Sequence, residues 1–161
     1  MANGMIDGIL QGMEMGRTRF LYGLDCVPDE RLTWSPGGEA KSALQLTAKT
    51  AAFLDFFSDF MKTRTRPSGE RPPLPEMGSR DEAKSHLSAA FDRLRAAIEG
   101  LSEEELQQEV SVPWGGQAPL SVVVGVVPSI IAYHQGQLNY LQLAYGDTDP
   151  NMPPSWGDRN G

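Results

Sequence analysis

Four stretches of this chain repeat apolar residues at three- and four-residue spacings, and that period limits what it can fold into more than any other feature. In the first, Ile6, Ile9, Leu10, Met13, Phe20, Leu21 and Leu24 make one stripe, with Asp7, Glu14 and Arg19 largely off it. Pro28 closes that stretch, because the residue before a proline disfavours helical geometry. The second begins at Ser42, where Ser42 and Gln45 are spaced as a capping box. Its stripe reads Leu46, Lys49, Phe53, Phe56 and Phe60, with Phe57 on the flank. Lys62, Arg64 and Arg66 gather at its end, where cations suit the negative pole of the helix dipole. The third opens on Ser79 and Glu82, a stronger capping pair on paper because a carboxylate closes it. Leu87, Phe91, Leu94, Ile98 and Leu101 follow in steps of four and three, with Gly100 as the stop. The fourth runs from Pro119 to Tyr145 and aligns Leu120, Val123, Val127, Ile130, His134, Leu138 and Leu141 on one face. Its Val122–Val127 run is β-branched enough to pass for a strand, but length and the continuing period favour a helix kinked at Pro128.

Between these stretches the chain turns. Residues 67–78 hold four prolines and read as a loop. Ser102 and the three glutamates after it start a short helical turn, and Pro113-Trp114-Gly115-Gly116 reads as a connection. From about residue 146 the tail is irregular. With 161 residues, enough to bury a core without disulfides or metals, the expectation is one all-α domain over 1–161, a four-helix bundle.

Charge and cysteine content remove several functions. Fourteen basic against twenty-one acidic residues leave a formal charge of −7, the wrong sign for a protein that displaces counterions from nucleic-acid phosphates. No apolar run reaches the length of about 18 residues that a membrane span needs. The N-terminal stretch carries acids and lacks a basic leader segment, so a cytoplasmic protein is expected. Cys26 is the one cysteine, which excludes an internal disulfide and every multi-cysteine metal motif.

Few motifs carry chemistry. Gly37-Gly38-Glu39-Ala40-Lys41-Ser42 has alanine where a phosphate loop needs glycine, and reads as a polar turn into a helix. Cys26 reads as a small buried apolar residue rather than a nucleophile. His134 stands on the apolar face of the last helix, where a lone imidazole is by default a core residue. Lys49 stands in line with phenylalanines, and an inward ammonium is costly unless paired or neutral. It either snorkels to water or binds an anionic group between helices.

Leu32-Thr33-Trp34-Ser35-Pro36, the serine-initiated helix from Ser42, Val112-Pro113-Trp114-Gly115 and His134-Gln135-Gly136-Gln137-Leu138 together resemble the DinB/YfiT-like superfamily over nearly the whole chain. The last is similar to the H-R-G-Q-L signature of that family, with Gln135 in place of arginine. The resemblance implies an up-down-down-up bundle, commonly a homodimer, in a family where some members are metal-dependent transferases or isomerases of low-molecular-weight thiols. It also implies a divalent metal held by three histidines, at positions that fall here on Lys49, Ile130 and His134. Only His134 matches, so no metal cofactor is expected. His86, the other histidine, is expected on the surface. Lys49, His134, Ile130, Phe53 and Gln137 are the candidate contacts for a small, anionic ligand. Two alternatives stand beside this: a thiol-dependent enzyme whose zinc or nickel is held by other residues, and a dimeric structural module whose pocket is filled by Ile130, Phe53 and Phe56.

Overall fold

The computed structural model describes residues 2–66 and 73–157. Its long helices are α1 (Ala2–Asp25), α2 (Ala43–Thr63), α3 (Arg80–Glu99) and α6 (Val127–Ala144), with short helices α4 (Glu103–Gln107) and α5 (Leu120–Gly125) between the last two. Single 3-10 turns lie at Asp29–Arg31 and Pro154–Trp156. Part of the proline-rich loop, residues 67–72, lies outside the described residues; 73–78 are irregular.

The bundle is a ring in which α1 and α2 each pack on α3 and α6. Contacts fix the directions. Lys84 pairs with Asp25 and Arg17 with Asp92, so α1 and α3 run opposite ways. Gly12 faces Pro128, Gly16 faces Ile131 and Gly23 faces Leu138, so α1 and α6 run together. The N–H of Leu44 donates to the Leu32 carbonyl just beyond the top of α1, so α2 starts where α1 ends. The order is therefore up-down-down-up, with Phe20, Phe60, Leu94, Ile131 and Leu138 in the core.

Three helices begin at the serines the sequence marks, Ser42, Ser79 and Ser102, with one reversal. At Ser42 both halves of the capping box form: its Oγ accepts from the N–H of Gln45, and Gln45 Oε1 accepts from the N–H of Ser42. Ser79 accepts from the N–H of Glu82, but the Glu82 carboxylate takes the Gly78 N–H instead. The carboxylate thus misses the reciprocal bond, and the better box belongs to glutamine. Ser102 and Glu105 complete a second one, and Arg64, the left-handed C-cap of α2, ties to Glu105 at 2.9 Å.

The stripe expected on α2 is shifted by one residue. Phe57 is buried and Phe53 and Phe56 only half so, because α2 faces two neighbours and its buried arc runs through Thr47, Thr50, Leu54, Phe57 and Met61. The two threonine hydroxyls satisfy themselves on the carbonyls of Ala43 and Leu46. On the last stretch the expected stripe is buried at Leu120, Val123, Val127, His134, Leu138 and Leu141, and departs only at Ile130, which is half-buried while Ile131 is buried. The Val122–Val127 run is helical, but the helix breaks at Val126 and resumes with Pro128 in the first turn of α6, where its missing N–H costs nothing.

One element was not legible. Glu109–Ser111 (β1) and Gln117–Pro119 (β2) pair antiparallel, Val110 opposite Ala118, around a turn in which Gly115 and Gly116 adopt φ of 106° and 90°. Three-residue strands are too short to show an alternating pattern, and the turn alone reads as a plain connection.

The close seam between α1 and α6 depends on glycine. A Cβ added at Gly16 would stand 2.5 Å from Ile131 Cγ2, whereas one added at Gly8 meets nothing within 4 Å. Alanine gains about 1 kcal/mol over glycine in a helix, while overpacking a tight contact costs about 1–3 kcal/mol. Gly8→Ala is therefore expected to raise the urea midpoint and Gly16→Ala to lower it. Equal gains from the two would refute the close approach.

Candidate functional site

Between α2 and α6 lies a cavity of about 470 Å³, lined by Lys49, Phe53, Val126, Ser129, Ile130, Tyr133 and His134. Helical geometry assembles it. Lys49 and Phe53 are one turn apart on α2, and Ile130 and His134 are one turn apart on α6, so both pairs face the gap between the helices. The break at Val126 brings that residue into the wall as well. Four of the five expected site residues are thus neighbours. Gln137 is half-buried and does not line the cavity, whose lining on α6 ends at His134. Val126, Ser129 and Tyr133 were not expected there; a helical-wheel projection from His134 places them on the same arc once the gap rather than the core is taken as the target.

His134 is the perturbed group. It is 1% exposed, its ring meets the Phe53 ring edge-on at 5.1 Å, and the Tyr133 ring lies tilted at 5.4 Å. Burial first, and then the positive charge of Lys49, push its pKa down to about 4. The imidazole is therefore neutral at physiological pH. Its Nδ1 is buried with no hydrogen-bond partner among the described residues, and an unpaired buried polar atom costs free energy. Lys49 is half-buried at the same cavity, and no ion pair engages it among the described residues.

The chemistry of these donors does not fit a divalent metal. One imidazole, one ammonium and one isoleucine at the three positions give a single lone pair, a repelling charge and a hydrocarbon. Among the described residues, no three of the His, Cys, Asp and Glu side chains form a group that could hold an ion. His86 is half-buried on α3, less exposed than expected, and lines no part of this cavity. Cys26 is half-buried, and its burial raises the thiol's pKa, which keeps it protonated and agrees with a packing role. Gly37 and Gly38 both adopt positive φ in an exposed turn ahead of α2.

A second cavity, of about 530 Å³, lies between α1 and α3 over Ile6, Leu10 and Leu101, with Arg95 and Glu99 paired on its rim. Among the described residues, none of those lining it has a buried polar side-chain atom in want of a partner.

A four-helix bundle of this topology, with a cavity between its second and last long helices, is the class of fold that the structure defines. The profile of the DinB superfamily matches residues 13–138, and the chain belongs to that superfamily. A DinB-like protein from Bacillus cereus superposes with a TM-score of 0.70 at 16% identity, covering 91% of this chain and 97% of that one. A DinB-like protein from Bacillus subtilis does so at 0.68 and 15% identity, covering 91% and 96%. The mycothiol-dependent maleylpyruvate isomerase matches at 0.64 and 17% identity; 83% of this chain aligns, with only 60% of the isomerase. At these identities the likeness is one of fold. No curated protein matches in sequence. Among the described residues, no helix is long and apolar enough to cross a membrane.

Proposed function

We propose that this protein binds a small organic anion between α2 and α6, without the divalent metal that its superfamily resemblance implies. The observation that carries this is the joint presence, in one mainly apolar cavity, of an ammonium with no carboxylate partner and a neutral imidazole whose Nδ1 has no hydrogen-bond partner among the described residues. A ligand with a carboxylate and an apolar body completes both: its charge pairs with Lys49, an oxygen takes or gives the hydrogen bond at His134, and its body displaces water from Phe53 and Ile130. A histidine held near pKa 4 is a weak proton acceptor at neutral pH, which favours binding over acid–base catalysis. The thiol-dependent enzyme reading needs three converging donors, and the cavity supplies one. We infer as well that the working unit is a homodimer, as the resemblance implies.

Benzoate and benzamide make the test, since they share a body and differ in charge. Benzoate is expected to bind by calorimetry, and Lys49→Met to weaken it about ten- to hundredfold, the worth of one charge-assisted hydrogen bond. Benzamide should bind weakly and equally to both. The methionine keeps the stem's packing, so the melting temperature should hold or rise. A drop would assign Lys49 to a structural network, and benzoate affinity unchanged by Lys49→Met would end the anion reading.

A further inference from the structure

The lining of the α2–α6 cavity is a strip with unlike ends. Val126, Ile130 and His134 stand four residues apart, so they form one row along α6, about 12 Å long at about 1.5 Å per residue. The Ile130 N–H donates to the Val126 carbonyl, which keeps Val126 in helical register although the helix breaks there. Ser129 and Tyr133 follow Val126 and Ile130 by three residues, a spacing that sets Cβ atoms about 5–6 Å apart. Both are exposed, so this second row is the flank that meets water. Phe53 closes the other flank from α2, its ring 5.1 Å from that of His134. The strip is thus little wider than one hydrocarbon chain and a little over two helical turns long.

Charge is confined to one end of it. Among the described residues that line the strip, only Lys49 carries a formal charge, and that charge acts on the His134 ring. Because α2 and α6 run in opposite directions, Lys49, one turn before Phe53, is displaced toward His134 and away from Val126. The Val126 end is hydrocarbon.

We propose that the ligand is an unbranched monocarboxylic acid of medium chain length, lying along α6 with its carboxylate between Lys49 and His134 and its methyl end on Val126. This rests on the anion reading of the same site and adds the ligand's shape and direction. Extended hydrocarbon with bonds of about 1.5 Å advances about 1.3 Å per carbon, so about eight to ten carbons span the row. A single ring fills one turn of the strip and leaves the Val126 end to water, whereas a chain covers its length. A dicarboxylate of that length would set its second charge on valine, where nothing in the lining pairs with it.

Calorimetry of the wild type with butyrate, hexanoate, octanoate, decanoate and dodecanoate makes the test. Each added methylene should tighten binding about two- to fourfold as far as octanoate or decanoate; full burial is worth about fourfold, and the wet flank removes part of it. Dodecanoate should gain nothing more, since its end passes the row. Octanedioate should bind at least about tenfold more weakly than octanoate. Val126→Ser, at a helix N-cap where serine is favoured, should weaken octanoate about fivefold and leave butyrate unchanged. Benzoate that binds through Lys49 while octanoate binds no more tightly than butyrate overturns the inference alone, as does octanedioate that equals octanoate. A chain-length gain that persists in full in Val126→Ser puts the tail elsewhere and also overturns it. Octanoate that binds Lys49→Met as tightly as the wild type, or a series in which no acid binds, benzoate included, overturns both this inference and the anion reading.

Discussion

Lowering the pH from 7 to 4 is expected to cost the folded protein about 3 kcal/mol through His134 alone. The folded-state pKa is about 4, below the ordinary value of 6.5. Above pH 6.5 the imidazole is neutral in both folded and unfolded chains and contributes nothing to the difference. Between 6.5 and 4 the unfolded chain takes up a proton and the folded chain resists it, so stability falls with falling pH. Below 4 both states are protonated and the loss levels off. Each unit of separation is worth about 1.4 kcal/mol, which sets the size. His134→Phe keeps an aromatic ring in the same aromatic surroundings and removes the titration, so its urea midpoint should decline less over this range than that of the wild type. Lys49→Met removes the second cause of the shift, so an NMR titration of that variant should find the His134 pKa higher than in the wild type. Identical acid profiles for wild type and His134→Phe would show that the imidazole is not the group held neutral. A bound carboxylate should act in the opposite direction, favouring the imidazolium and reducing the acid loss.

The architecture was legible because helices announce themselves locally. Ser42, Pro28 and Gly100 mark ends through backbone chemistry that needs no tertiary context; the structure caps α2 at Ser42 and α3 at Gly100, and ends α1 at Asp25, three residues before Pro28. The site was legible in part for the same reason: residues four apart on a helix share a face, so Lys49 with Phe53 and Ile130 with His134 could be paired before their helices met. What failed was register. A stripe counted from Leu46 assumes one neighbour, but α2 has two, and the true buried arc includes Phe57 and leaves Phe53 at the cavity. Tyr133 escaped notice because an exposed tyrosine carries no sign of what it borders. The glycines of α1 read as weaknesses in a helix, and their use against Pro128 and Ile131 is visible only once α6 lies alongside.

Installing two histidines should turn this cavity into a metal site. The argument separates scaffold from ligands. Lys49, Ile130 and His134 line one cavity because helix packing puts them there, with the core of α2, α3 and α6 behind them. No bond to an ion is needed for that arrangement, so it should survive replacement of the side chains. Lys49→His with Ile130→His removes the repelling ammonium and supplies two lone pairs beside the imidazole of His134. Three converging nitrogens with an open fourth position are what zinc accepts. Binding to the folded state alone stabilises it by about 4 kcal/mol when free metal exceeds its dissociation constant a thousandfold. The double variant should therefore melt several degrees higher in zinc or nickel than in chelator, while the wild type melts at the same temperature in both. His134→Ala added to the double variant should abolish the gain. A folded double variant indifferent to metal would show that the three positions do not converge. Near-stoichiometric metal in untreated wild type, lost on His134→Ala, would show that other residues complete a site, and the anion reading would then give way to the thiol-dependent enzyme.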